Sequence, residues 1–162
     1  MPNGIDVEQV RSAHLLQWGY DVLSAGRLIE HNNVDVLLDV FDEVVADNDA
    51  TLCIVGDGPE PKRLEKKRES PTHIDRVEFP NFLNDYDDVL DHMCAVDVFA
   101  SPSTREGFGI TFVEATTADC TVIAATHPDL TADEVIDDAG FPVERAQRYD
   151  WDVVADQRET AY

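Results

Sequence analysis

Short apolar runs alternate with amphipathic stretches along the chain. The runs are residues 20–25 (YDVLSA), 51–55 (TLCIV), 76–79 (RVEF), 96–100 (VDVFA) and 121–125 (TVIAA). Their length and their β-branched and aliphatic content suit strands buried on both faces. Between the first two, Val34, Leu37, Leu38, Phe41, Val44 and Val45 recur at three- and four-residue spacing, which gives a helix one apolar face. Residues 59–68, 85–93, 108–118 and 131–136 read as further helices, and 8–18 as a short helix before the first strand. Strand and helix alternate without tight-hairpin signals. That order predicts right-handed crossovers and an α/β domain with a doubly wound parallel sheet. Residues 1–148 are expected to form this domain. Residues 149–162 are expected to form a C-terminal helix with Trp151, Val154, Gln157 and Ala161 near one stripe. It packs either on the domain's own sheet or on a neighbouring domain.

Charge changes the picture more than size does. A chain of 162 residues is one domain's worth and long enough to bury a core. It carries 34 acidic against 12 basic residues, a net charge of −22. That excludes unspecific nucleic-acid binding. The carboxylates are spread along the whole sequence, and the 43% hydrophobic share is too high for a disordered acidic chain. A folded domain with such a surface repels itself unless salt screens it. The expectation is a halophilic protein, haloarchaeal in origin. No stretch is apolar enough to cross a membrane, and the first residues have no signal-peptide core. Cys53, Cys94 and Cys120 lie far apart in apolar surroundings, as buried thiols in a reducing cytoplasm do. A cytoplasmic protein is therefore expected, with the inner face of the membrane as an alternative placement. The five basic residues Lys62, Arg63, Lys66, Lys67 and Arg68 make either a contact for an acidic partner or headgroup, or a solvated helix face interleaved with Glu65 and Glu69.

In a doubly wound sheet the ligand lies beyond the carboxyl ends of the strands. The residues there are Gly26-Arg27, Gly56-Asp57-Gly58-Pro59, Asn81-Phe82, and a stretch from Ser101 through Arg105-Glu106-Gly107-Phe108-Gly109. The last leads from two glycines into a helix start. Glycines let a ligand approach the backbone, and the helix N-terminus favours an anion such as phosphate. Glu114 lies about two turns further on. Arg27, at a neighbouring strand end, could clamp phosphate oxygens or form a surface ion pair. The histidines show no ligand spacing, so no metal site is expected.

These residues, in this order, resemble the C-terminal, donor-binding domain of family 4 glycosyltransferases, the group 1 enzymes of GT-B fold. Pro2-Asn3-Gly4-Ile5-Asp6 is similar to the family's interdomain segment, Gly26-Arg27-Leu28 to its first strand-end motif, and Val55-Gly56-Asp57-Gly58-Pro59 to its second. Ser101-Pro102-Ser103, Arg105 to Gly109 and Glu114-Ala115 match its signature of two glutamates separated by seven residues. The resemblance implies a Rossmann-like fold and a retaining transferase that moves a sugar from a nucleotide diphosphate donor to a hydroxyl acceptor. No cofactor or metal is implied. It further implies that Gly26 and Arg27 meet the donor diphosphate, with amides near Phe108, Gly109 and Ile110 holding it as it leaves. Glu106 would face the sugar hydroxyls, Glu114 the ribose hydroxyls, and the loop around Phe82 the base. Glu106 and Arg27 are the expected catalytic groups.

The chain departs from the family pattern at several places. Asn32 stands where the family has a phosphate-binding lysine, and Asp119-Cys120-Thr121 where it has Gly-x-Pro. Where the family has a helical segment between the last strand and the terminal helix, Gly140-Phe141-Pro142 runs almost directly into residues 145–149. The expected partners are the nucleotide-sugar donor and an acceptor-binding N-terminal domain, with peripheral membrane association of the full enzyme and no nucleic acid. The functional expectation is the donor-binding domain of an enzyme of glycan or glycolipid assembly. The alternative is a non-catalytic nucleotide- or protein-binding domain derived from the same fold.

Overall fold

A computed structural model of the chain describes residues 7–12, 19–59, 61–70, 75–80, 85–104, 110–125 and 140–142. Helix α1 is Val7–Ser12. Strand β1 (Val22–Ala25) leads through a 3₁₀ turn at Glu30–Asn32 into α2 (Val34–Asp47). Then come β2 (Leu52–Val55), α3 (Pro61–Arg68), β3 (Val77–Glu78) and α4 (Tyr86–Cys94). The rest is β4 (Val98–Ser101), α5 (Ile110–Thr117), β5 (Thr121–Ala124) and β6 (Gly140–Pro142). The six strands form one sheet in the order β3-β2-β1-β4-β5-β6, and every pair is parallel. This is the expected doubly wound α/β fold. β6 is an addition: its three residues hold one large apolar side chain, too little for a hydrophobic run to mark.

The period-two geometry of the strands sorts their side chains into two cores. Val22, Leu52, Ile54, Val98, Ala100 and Ile123 face α2, with Leu38 and Phe41, and α3, with Leu64. Leu23, Cys53, Phe99 and Val122 face α4, with Met93, and α5, with Phe112 and Ala115. Phe99 meets Phe112 edge-on at 6.5 Å between ring centres. Helix α4 illustrates how such an element is started. Asp85, expected as its first residue, is the N-cap instead, and its side chain accepts from the Asp87 N–H at 3.2 Å.

Cys53 and Cys120 are buried in the second core, and all three cysteines are free thiols. Burial pushes the Cys120 thiol up to about 12. Its Sγ donates to the Met93 carbonyl at 3.1 Å. Cys120 is a core thiol, as its surroundings in the sequence suggest. The basic helix α3 lies against α2, where Arg63 pairs with Asp35 at 2.8 Å and Lys67 with Asp39 at 2.6 Å. Among the described side chains, Arg63 and Lys67 thus pair with two of the carboxylates of α2. No helix among the described residues is long and apolar enough to cross a membrane. The readings at 131–136 and 149–162 lie outside the described residues, and so does most of 8–18.

Candidate functional site

The order of the sheet reverses at β1, whose neighbours are β2 and β4. A crevice is expected at the carboxyl ends of these strands. The loop after β1 and the loop after β2 pack backbone on backbone. The Gly26 N–H donates to the Val55 carbonyl at 3.0 Å, and the Leu28 N–H to the Asp57 carbonyl at 2.9 Å. Two glycines make this approach possible. A Cβ on Gly56 would lie 1.8 Å from the Gly26 carbonyl oxygen, and one on Gly58 would lie 2.3 Å from that of Leu28. The Gly-Asp-Gly stretch therefore has a packing role here: it lets the second loop brace the loop that carries Arg27.

The other side of β1 is tied to β4. Asn32 Nδ2 donates to the Arg27 carbonyl, and Asn32 Oδ1 accepts from Ser103 Oγ at 3.1 Å. Asn33 Nδ2 donates to the Pro102 carbonyl at 3.2 Å. The Thr104 N–H and hydroxyl both donate to the His31 carbonyl, at 2.9 and 3.2 Å. Between the joined loops lies a narrow polar recess lined by Ser24, Arg27, Asn32, Ser101 and Ser103.

A wider cleft of about 590 Å³ opens beside it, within the usual range for small-molecule sites. Its walls are Gly26 and Arg27 after β1, Gly56 to Gly58 after β2, Asp85, Tyr86 and Val89 at the start of α4, and Thr111 in the first turn of α5. Arg27 is exposed and is the one cation among these lining residues; Asp57 and Asp85 are the carboxylates. Glu114 sits one helical turn beyond Thr111 and is 6% exposed. Tyr86 is 51% exposed, lines the cleft, and donates its hydroxyl proton to Glu114 Oε2. Burial raises the Glu114 carboxyl above its ordinary range, and the Tyr86 hydrogen bond partly offsets this. The Tyr86 phenol is raised too, by burial first and then by Glu114, so it keeps its proton.

The structure brings Gly26 and Arg27 together in the cleft and puts Asn32 beside Arg27 in the recess. Glu114 is placed behind Tyr86 and is not itself a lining residue. Ile110 is the first residue of α5. Phe82, Glu106, Phe108 and Gly109 lie outside the described residues. The sequence reading did not single out Tyr86 or Thr111, and it placed Ser103 in the Ser101-Pro102-Ser103 motif without a role. Tyr86 carried one signal, an aromatic at the start of a helix whose other face is apolar. Among the described residues no three His, Cys, Asp or Glu side chains converge as metal ligands would.

Known proteins resemble this chain in the same terms. A curated relative is the alpha-monoglucosyldiacylglycerol synthase of Streptococcus pneumoniae, 29% identical over 127 residues, covering 77% of this chain and 29% of that protein. Another is the GDP-mannose-dependent monoacylated alpha-(1-6)-phosphatidylinositol monomannoside mannosyltransferase of Corynebacterium glutamicum. It is 30% identical over 146 residues, covering 78% of this chain and 38% of that one. The chain thus spans well under half the length of either relative. The solved C-terminal domain of a glycosyl transferase group 1 family protein (LpcC) from Francisella tularensis superposes with a TM-score of 0.69 at 17% identity. That match covers 97% of this chain and 87% of the other. Residues 8–156 match the family described as glycosyl transferases group 1, and the chain belongs to that family.

Proposed function

We propose that this chain is the nucleotide-sugar-binding domain of a retaining glycosyltransferase that moves a sugar to a hydroxyl acceptor in glycan or glycolipid assembly. The observation that carries this reading is the cleft at the ends of β1 and β2, with the exposed Arg27 at its mouth and the first turn of α5 on its wall. A diphosphate there would meet a guanidinium and the free N–H groups of a helix start. As the sugar leaves, negative charge grows on the diphosphate. Arg27 and those amides are preorganised to stabilise it, which is the largest single contribution such a site can make. Glu106 would accept from hydroxyls of the transferred sugar. Glu114 would serve the ribose, and Phe82 would flank the base. Support also comes from the two relatives, whose names describe glycolipid synthesis and, for one, dependence on GDP-mannose.

The acceptor site and the whole reaction belong to a longer protein in this reading. Peripheral attachment to the inner membrane face suits a glycolipid acceptor. A thermal-stability screen against UDP-glucose, GDP-mannose and the free nucleoside diphosphates, in molar salt, tests the donor site. Stabilisation by at least one nucleotide sugar is expected. Stabilisation by none of them favours the non-catalytic alternative. Asn32 is the observation that keeps that second reading in play, because its amide is engaged by Arg27 and Ser103 and brings no second cation. Sugar transfer by the full-length protein separates the two.

A further inference from the structure

The recess between the ends of β1 and β4 has about 10 Å³ of room, enough for one water-sized particle and too little for a phosphate group. Arg27 is the one charged residue among the described residues that line it, in a chain with 34 acidic residues. Among the described residues no carboxylate pairs with Arg27. The acceptors around the recess are already engaged. The Arg27 carbonyl accepts from the Ile29 N–H and from Asn32 Nδ2, and the Ser101 carbonyl from the Ala125 N–H. The Pro102 carbonyl accepts from Asn33 Nδ2, and Asn32 Oδ1 from the Ser103 hydroxyl. Donors are left over. Ser24 is 6% exposed and Ser101 9%, both line the recess, and neither hydroxyl has a partner among the described residues. Ser24 stands beside Ile54 in the sheet. Strand alternation puts it on the face that α2 covers, where Ile54 and Val34 also line the recess.

A buried hydroxyl left unpaired is costly, so an occupant that accepts from both serines is favoured. With a guanidinium beside them and no carboxylate, the recess repels cations and attracts an anion. We infer that it is a site for one monatomic anion of the size of chloride, held by the Arg27 guanidinium and the Ser24 and Ser101 hydroxyls. Arg27 lines the wider cleft as well. The anion and a nucleoside diphosphate therefore share one guanidinium and compete for it. The competition rests on the donor-binding reading above, whereas the anion site stands on the recess alone.

The test uses molar potassium salts at one ionic strength, with chloride exchanged stepwise for gluconate, which is too large for the recess. In chloride nuclear magnetic resonance the parent should broaden the chloride line. Ser24→Val, which puts a methyl group into the recess, should lose most of that broadening. Ser24→Ala, which removes only the hydroxyl, should lose part of it, and circular dichroism confirms that each variant is folded. Calorimetric titration of UDP and GDP reads the competition. The diphosphate that binds the parent should bind more weakly in chloride than in gluconate. A site half-filled at about 0.1 M chloride gives roughly a tenfold weakening at ~1 M. In Ser24→Val the difference between the two salts should shrink. Equal broadening by the parent and both Ser24 variants means that the recess holds water only, and overturns the inference with the donor-binding reading intact. Diphosphate affinity that is equal in chloride and gluconate overturns it as well. A parent that broadens the chloride line but binds neither diphosphate in gluconate overturns the donor-binding reading and leaves the anion site standing.

Discussion

Substituting Gly56 by alanine puts one methyl group where the structure has a carbonyl oxygen. The new Cβ would start 1.8 Å from the Gly26 oxygen and 3.0 Å from its carbon. Both are backbone atoms, so no side chain can turn away. The loops after β1 and β2 must part by more than an ångström. That movement strains the two hydrogen bonds that join them, Gly26 to Val55 and Leu28 to Asp57. Overpacking of this kind costs about 1–3 kcal/mol, and each weakened hydrogen bond adds up to about 1 kcal/mol. The expected loss is therefore roughly 2–4 kcal/mol, or about 4–16 °C in Tm for a domain of this size. Circular-dichroism melts of parent and Gly56→Ala in molar salt measure it. Because Arg27 lies on the displaced loop, nucleoside diphosphate affinity should fall as well. The opposite outcome is well defined. Where alanine fits without strain, replacing glycine stabilises a protein by about 0.4–1 kcal/mol. An unchanged or higher Tm would show that the two loops are not in backbone contact.

Further expectations concern charge. Arg27→Ala should weaken nucleoside diphosphate binding by roughly 10- to 150-fold, the worth of a charge-assisted contact, while a chelator leaves binding unchanged; titration reads both. Asn32→Lys adds a cation beside Arg27 but gives up the hydrogen bonds to Arg27 and Ser103. It should improve diphosphate affinity by about 0.5–1.5 kcal/mol, more than nucleoside affinity, and lower stability by roughly 1–3 kcal/mol. Equal gains for nucleoside and diphosphate would place Asn32 away from the phosphates. With a net charge of −22, the fold should melt cooperatively in molar salt and lose structure below ~0.1 M, where screening is weak; salt-independent melting would refute this. Because burial raises the folded Glu114 carboxyl above its ordinary 4.5, the folded state holds that proton more tightly than the unfolded chain. The group's stabilising contribution is complete below 4.5 and is lost as pH rises through the folded value. Glu114→Gln should therefore gain stability relative to the parent as pH rises from about 4 to neutral, as read from denaturant midpoints.

The centre of the sheet was legible because its strands are buried on both faces. Residues 52–55 and 98–101 have no exposed position, so the sequence is unbroken apolar over 52–55 and 98–100. β6 was not legible by that route, since Gly140 and Pro142 surround a single large apolar residue. At the site, Gly26 and Arg27 were found by position, just beyond a strand end. The Tyr86–Glu114 pair joins residues 28 apart, and the Asn32–Ser103 pair residues 71 apart. Neither spacing is a period of helix or strand, and only the folded crossovers bring the partners together. Asn32 shows the limit most clearly. The missing lysine charge was visible in the sequence, while the structural use of the amide was not.

The joined loops beyond β1 and β4 have a consequence for how such a domain can diverge. Four hydrogen bonds connect residues 31–33 with residues 102–104, and three of them use a main-chain carbonyl. Main-chain partners tolerate a change of side chain but not a change of length. An inserted or deleted residue on one side would shift every carbonyl out of register with its donor on the other. Homologues should therefore alter these two segments in concert, each lengthening or shortening matched by its opposite number, while the identity of residue 103 drifts only between groups that can donate to Asn32.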